Sequence, residues 1–300
     1  MADIMNTKEV AQYLGINEKK VYAMAKAGGF PCTRVTGKWA FPKKLIDQWI
    51  EQSAAGVVPR GRREEQRLFL LAAGSDDPSL GIMRELYASR TAPASLFIAA
   101  AGSSAGLVAV RDGVADLAMS HLLDRETGEY NIPFVRKLLP PEVVVAMLFY
   151  RELGLIVGRG NPKQLETISD LARDGVRVVN RQEGSGTRHY FDQELARLSI
   201  SGSHISGYRD SVVTHLEVGL KVLRGEADAG IATETVAQIL GLDFVPLTRE
   251  RFDLVIPKER FFSHAVQLLL SLVGSQGFRQ RVNAMGGYDV SESGRLMASD

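Results

Sequence analysis

Two short loops in this 300-residue chain combine glycine with hydroxyl residues: Gly102-Ser103-Ser104-Ala105-Gly106 and Gly184-Ser185-Gly186-Thr187. Glycine lets a backbone approach a ligand closely, and Ser and Thr add donors without bulk. Where such a loop opens a helix, free N–H groups and the favourable end of the helix dipole join those donors, so the chemistry on offer is capture of an anion stripped of water. Gly74-Ser75-Asp76-Asp77-Pro78 is a third loop of the same kind. The candidate ligand residues are Ser75, Asp76, Ser103, Ser104, Gly184, Ser185, Gly186 and Thr187, with Thr214 and Thr233 at further strand ends. Arg181 and Arg188 bracket the second loop, and an inward guanidinium there would pair bidentately with a carboxylate or phosphate.

The first loop also fits G-x-S-x-G, the elbow on which hydrolases mount a serine nucleophile. An esterase with Ser104 as nucleophile needs a later Asp or Glu and a His, and His204, His215 and His264 all follow it. Against that alternative, the elbow comes on only the second strand of its domain and no HGGG-type oxyanion loop precedes it. His121 and His189 have no metal-ligand partners at useful spacing, so structural or surface roles are expected for them. Cys32 is the one cysteine, which excludes an internal disulfide and a thiol-rich metal site. No catalytic residue, no protein-held metal cation and no cofactor is assigned.

Charge is unevenly spread. Residues 1–67 hold 12 Lys+Arg against 7 Asp+Glu, whereas the remaining 233 hold 24 against 28. A basic head on a mildly acidic body suits a small phosphate-contacting module attached to something that is not itself a nucleic-acid binder. The length predicts two or three compact units. No apolar leader opens the chain and its longest pure apolar run, Val143–Tyr150, is far too short to span a bilayer, so a cytoplasmic protein with no membrane partner is expected.

The elements of the head can be read in order. Asn6 with Glu9 three residues on has capping-box spacing, and Val10, Ala11 and Leu14 then share a helical face. Gly15 makes a turn, Asn17 caps a second helix running to about Ala27, and Gly28-Gly29 stops it. Two helices joined by so short a turn form a helix-turn-helix, whose second helix can enter a major groove. Thr33–Thr36 and Lys38–Phe41 flank Gly37 as a two-stranded wing, and Pro42 suits the first turn of a closing helix with Leu45, Ile46, Trp49 and Ile50. The segment Met5–Ile50 resembles the excisionase-type, winged helix-turn-helix relatives of the MerR regulators. That resemblance implies double-stranded operator DNA as partner, with Asn17, Glu18, Lys19, Lys20 and Tyr22 of the second helix and Arg34, Lys38 and Trp39 of the wing at the DNA. The domain is expected over residues 1–52. Small residues, Pro59, Gly61 and a charge run predict a solvated linker over 53–67, in which Arg60, Arg62 and Arg63 are candidate phosphate contacts.

The body, 68–300, reads as α/β. Leu68–Ala73 and Ser95–Ala101 are apolar strands, each followed by a small polar loop and a helical pattern, which places ligands at the carboxyl ends of parallel strands. A weak repeat joins Val110–Ala118 to Leu223–Ala232: in both, a helix end, a glycine stop and an Ala-Asp pair lead into a short buried strand. With GSDDP at 74–78, GSSAGL at 102–107, GVADLAMSHLLD at 113–124, LGLIVGRGNPK at 153–163, VNRQEGSGTRHYFD at 179–192 and GEADAGIATETVA at 225–237, the body resembles the type II periplasmic solute-binding fold and, within it, the molybdate- and tungstate-binding branch. The resemblance implies two lobes, about 68–150 with 250–300 and about 155–247, with the chain crossing near 151–158 and 248–256.

The combined expectation is a one-component transcriptional regulator: a DNA-binding winged helix-turn-helix fused to a two-lobed domain that closes on a small anion, with molybdate or tungstate as the effector. The alternatives are a regulator sensing a small organic acid through Arg181 or Arg188, and the Ser104 hydrolase. One short recognition helix gives limited affinity, so a homodimer on paired half-sites is expected.

Overall fold

A computed structural model of the chain describes residues 4–27, 30–35, 38–55, 68–90, 94–139 and 143–299. They fall into two compact units, residues 1–66 and 67–300. The helix stop at Gly28-Gly29, the wing tip at Thr36-Gly37 and the linker arginines Arg60, Arg62 and Arg63 lie outside the described residues.

The first unit runs β1 (Ile4–Met5), α1 (Thr7–Leu14), α2 (Glu18–Ala27), β2 (Thr33–Val35), β3 (Lys38–Pro42) and α3 (Lys43–Ala55). Asn6 closes a capping box: its Oδ1 accepts from the Lys8 and Glu9 amides at 3.0 Å each, and the Glu9 carboxylate takes the Asn6 N–H at 2.7 Å. Gly15 ends α1 in the left-handed conformation with φ 64°, where a Cβ is disfavoured. Asn17 caps α2 by accepting the Lys20 amide at 2.8 Å. Val10, Val21, Phe30, Phe41 and Ile46 bury together as the unit's core.

Three details depart from the expectation. The sheet has a third strand, in order β1-β3-β2, because Ile4–Met5 pairs along β3. Two residues are too few to show a period. Pro42 ends β3 rather than opening a helix, and α3 runs on to Ala55, past the boundary expected at 52. Ser53, Ala54 and Ala55 bring no breaker, so the helix has no local reason to stop sooner.

The second unit opens with β4 (Phe69–Gly74), α4 (Leu80–Arg90), β5 (Ser95–Ala100), α5 (Ser103–Arg111), β6 (Leu117–Ser120) and α6 (Ile132–Leu138). The long β7 (Val143–Val157) leads into β8 (Val178–Arg181), α7 (Gly186–Arg197), β9 (Ser211–Val212), α8 (His215–Leu223), β10 (Ala229–Thr233) and α9 (Glu234–Leu240). The equally long β11 (Asp243–Pro257) returns to α10 (Lys258–Phe261), α11 (His264–Val273), α12 (Gln276–Asn283), β12 (Tyr288–Asp289) and β13 (Leu296–Ser299). The described strands make one sheet in order β5-β4-β6-β11-β7-β10-β8-β9, with β12 and β13 on β7. β7 and β11 pair antiparallel along their whole length, and one end of the pair serves each lobe. β6 joins β11 at Ser120↔Asp253, while β10 joins β7 at Ala229↔Val157. Each lobe has apolar cores of its own, built around Leu96, Leu117 and Leu254 in one and Leu155, Val178 and Phe191 in the other.

The internal repeat has a physical basis. Gly113 and Gly225 both stop a helix at φ 69°. The Leu71 amide donates to the Asp116 carboxylate and the Asp116 amide to Leu71 C=O, each at 2.8 Å. Asp228 makes the same reciprocal pair with Arg177, at 2.8 and 2.7 Å. In each lobe one aspartate therefore registers the incoming strand on its neighbour.

Candidate functional site

Four helices begin at the seam between the lobes, directly after strand ends or the loops that follow them. Gly102 stands at the N-cap of α5, Ser185 of α7, Thr214 of α8 and Thr233 of α9. The lobes meet there. The Ser104 amide donates to Gly184 C=O at 3.2 Å, the His215 amide donates to Asp76 Oδ2 at 3.2 Å, and Arg125 reaches Gln193 at 3.1 Å and pairs with Glu194. Gly102, at φ 89°, leaves a Cβ position only 3.1 Å from Gly184 O, so the close loop approach needs glycine.

The seam buries polar groups that the protein itself leaves unmatched. Arg181 is 2% exposed; its Nη2 donates to Val213 C=O at 2.6 Å, while Nε and Nη1 have no hydrogen-bond partner. Thr187 Oγ1, Thr233 Oγ1 and both ring nitrogens of His215 are buried and unmatched too. Leaving a buried polar group unsatisfied costs about 1–3 kcal/mol, so such a cluster calls for a partner not supplied by the chain. Burial lowers the Arg181 pKa to about 10, which still leaves a cation at neutral pH. Burial, then Arg181 and Arg151, push His215 well below the ordinary histidine range, so its ring is neutral and offers one donor and one acceptor.

On the first lobe Ser75 and Ser103 are fully buried, Ser103 Oγ lying 3.3 Å from Ser75 Oγ and 3.3 Å from the His121 amide. His121 Nε2 stands 2.7 Å from Ser75 Oγ and Nδ1 stands 2.9 Å from Glu250 Oε2. Glu250 also accepts from Arg151 Nε at 2.6 Å, and Arg151 Nη1 donates to Asp77 Oδ2 at 2.5 Å. Burial pushes the Glu250 carboxyl up, but His121 and Arg151 outweigh it and hold the pKa at about 2. Asp76, half-buried beside Arg181, is raised by burial against the pull of that guanidinium.

The structure gathers Ser75, Asp76, Ser103, Ser104, Arg181, Gly184, Ser185, Gly186, Thr187 and Thr233 at or beside the seam. It departs from the expectation at two residues. Arg188 does not join them: its Nε donates to both Asp192 oxygens at 2.8 and 3.0 Å and its guanidinium lies over the Tyr208 ring. Thr214 is occupied by its own helix, donating to Glu217 and capping it. His121 is buried and hydrogen-bonded at the centre of the polar network, a place compatible with the structural role expected of it. Among the described residues no histidine hydrogen-bonds Ser104, and the serine hydroxyl that meets an imidazole ring is that of Ser75. His121, Arg151, His215 and Glu250 were missed as site residues. A signal existed for two of them: Arg151 and Glu250 are charges inside the apolar strands expected to cross between lobes.

On the first unit Asn17, Glu18, Lys19, Lys20 and Tyr22 are exposed along α2 and its cap, and Arg34 and Lys38 are exposed on the wing. Arg34 lies 4.7 Å over the half-buried Trp39 ring. Lys8, Glu18, Tyr22, Arg34, Lys38 and Trp39 line one surface concavity of roughly 400 Å³, which brings helix and wing candidates to the same face.

A family model described as a PBP superfamily domain matches residues 84–274, and one described as a helix-turn-helix domain matches residues 4–54. The chain is similar to the uncharacterized protein YvgK of Bacillus subtilis (strain 168), 28% identical over 97% of this chain and 96% of that protein. In structure it resembles a putative phosphate ABC transporter substrate-binding protein with bound phosphate from Clostridium perfringens, with a TM-score of 0.55, 18% identity, and coverage of 72% of this chain and 97% of that one. It also resembles an H2O2-bound OxyR mutant of Corynebacterium glutamicum, with a TM-score of 0.54, 15% identity, and coverage of 93% and 90%. These likenesses show the mixed α/β fold of type II periplasmic binding proteins. Among the described residues no helix is long and apolar enough to cross a membrane.

Proposed function

We propose, on the premise that this chain belongs to the PBP superfamily and carries an N-terminal helix-turn-helix domain, that it is a one-component transcriptional regulator whose body closes on a small oxyanion. The observation that carries the ligand reading is the set of buried, unmatched donors at the seam, Arg181, Thr187, Thr233 and His215, joined by helix N-termini. A tetrahedral dianion such as molybdate or tungstate answers such a set, because each of its oxygens accepts and its charge offsets Arg181. The bound phosphate of the similar Clostridium perfringens protein is support for an oxyanion of that shape.

Arg181 turned inward also favours a second reading, a small carboxylate held by the same guanidinium fork. The oxyanion comes first because the unmatched groups of the second lobe and the buried Ser75, Ser103 and His121 of the first are all polar and would leave a carboxylate's apolar part without a matching wall.

Closure regulates only if the anion prefers one of two states of the protein, and a dimer on paired half-sites is the form in which closure can reposition two DNA-reading heads. Such a regulator works in the cytoplasm, and no catalysis is assigned to it. A thermal-shift screen of molybdate, tungstate, sulfate, phosphate and small carboxylates tests the ligand. An anion at 100 times its Kd stabilises by about 2.7 kcal/mol. A response to carboxylates alone selects the second reading, and no response to any anion overturns the cleft assignment.

A further inference from the structure

His121 sits between two oxygens of opposite character. Glu250 is an ionised carboxylate and can only accept, so the proton of the ring is on Nδ1, donated to Glu250 Oε2 at 2.9 Å. A neutral ring then presents a lone pair at Nε2, 2.7 Å from Ser75 Oγ, and Ser75 must donate its single proton to it. In that state the Ser75 oxygen only accepts elsewhere, from Ser103 Oγ at 3.3 Å, and has no proton to offer an anion. Ser75 becomes a donor toward the cleft only if the ring donates to it, which requires the imidazolium.

The charge around the ring points the same way. Asp76, Asp77 and Glu250 are three carboxylates facing two guanidiniums, Arg151 and Arg181, with neutral His215 alongside. The other faces of the ring are closed by the stacked Phe252 ring, 5.6 Å away at 12°, and by the start of α7 at Gly186. A dianion entering this cluster adds negative charge that nothing on the first lobe answers.

We propose that His121 couples anion capture to uptake of one proton by deciding which way the Ser75 hydroxyl points. His121 is a positioning residue, acting through Ser75. The proposal rests on the oxyanion reading of the cleft. Burial, with Arg151 and Arg181, holds the ligand-free ring below its ordinary range against the pull of Glu250, and an anion at the seam moves it upward. Between those two values affinity rises as pH falls, by up to ten-fold per pH unit for one proton; outside them it is flat.

The test is calorimetry of the full chain with molybdate, tungstate and sulfate near neutral pH, in two buffers of different ionisation enthalpy. The expected result is uptake of about one proton per anion by the wild type, lost in Ser75→Ala and His121→Gln. No uptake by the wild type overturns the proposal and leaves the oxyanion reading standing. Uptake that persists in His121→Gln assigns the proton elsewhere and overturns it too. Absence of binding by all three oxyanions overturns both readings. The wild-type measurement needs no variant, so it stands if a substitution at the buried ring prevents folding.

Discussion

A Cβ added at Gly186 would fall 2.5 Å from Cε1 and 2.6 Å from Nδ1 of His121, so the first residue of a second-lobe helix rests directly on a first-lobe imidazole. Both sides are constrained. The ring is held by Glu250 and Ser75, and Gly186 is fixed at the start of a helix capped by Ser185. The contact exists only while the lobes meet, so its size measures how far they close.

Gly186→Ala is therefore expected to oppose closure rather than folding. Alanine fits the helical conformation there, and an open cleft has room for its methyl group. Oxyanion affinity should fall at least about ten-fold, the effect of roughly 1.4 kcal/mol, while the ligand-free thermal midpoint holds. Solution scattering should also lose the compaction that anion produces in the wild type. Unchanged affinity would mean that the seam described here is not the ligand-bound arrangement.

Arg181 should trade stability for function. Its buried cation has two unmatched donor atoms, so Arg181→Met removes a desolvation cost while keeping the aliphatic stem. The variant should melt no lower than the wild type without ligand and should lose an oxyanion by about 1.5–3 kcal/mol or more. Arg188→Ala, which disturbs only the Asp192 and Tyr208 contacts, should bind normally. A large loss at Arg188 with none at Arg181 would reverse the assignment.

Glu250→Gln should destabilise the body by about 3–5 kcal/mol at neutral pH, because Arg151 and His121 stay buried with one charged partner missing. The sign with pH is fixed by the native carboxyl, held at about 2 against an ordinary 4.5. Its contribution is complete above the unfolded value and is lost as pH falls through the folded one. Denaturant unfolding of both proteins should give a difference that is constant above about pH 5 and shrinks in acid. A difference that grew in acid would contradict the pairing.

For the DNA-reading head, Lys19→Ala, Lys20→Ala and Lys38→Ala should each weaken binding to the protein's own promoter region. A lysine on phosphate should lower the salt slope by roughly one unit without changing sequence preference. Mobility shifts at several salt concentrations read both quantities. If the wild type binds no fragment of that region at low salt, the regulator reading fails.

What the sequence determined by itself is what short-range physics fixes. The Asn6–Glu9 capping box, the left-handed turn at Gly15 and the Gly113 and Gly225 helix stops need only neighbours a few residues away, so residue type and spacing suffice to place them. The glycine-serine loops were legible for the same reason: a strand end, a small loop and a helix start are local events. The Arg188–Asp192 pair was also readable, since the two residues are four apart on one helix.

Only the tertiary structure decided which groups face each other at the seam. His121 meets Ser75 from 46 residues away and Glu250 from 129, distances at which a single sequence carries no period. Arg181 and Arg188 flank the same loop, yet one ends β8 and turns into the seam while the other lies in the first turn of a helix that supplies its own counter-charge. Burial made the difference: exclusion of water gives Arg181, His215 and Thr187 their unmatched donors, and exclusion of water belongs to the packed lobes, not to any segment of the chain.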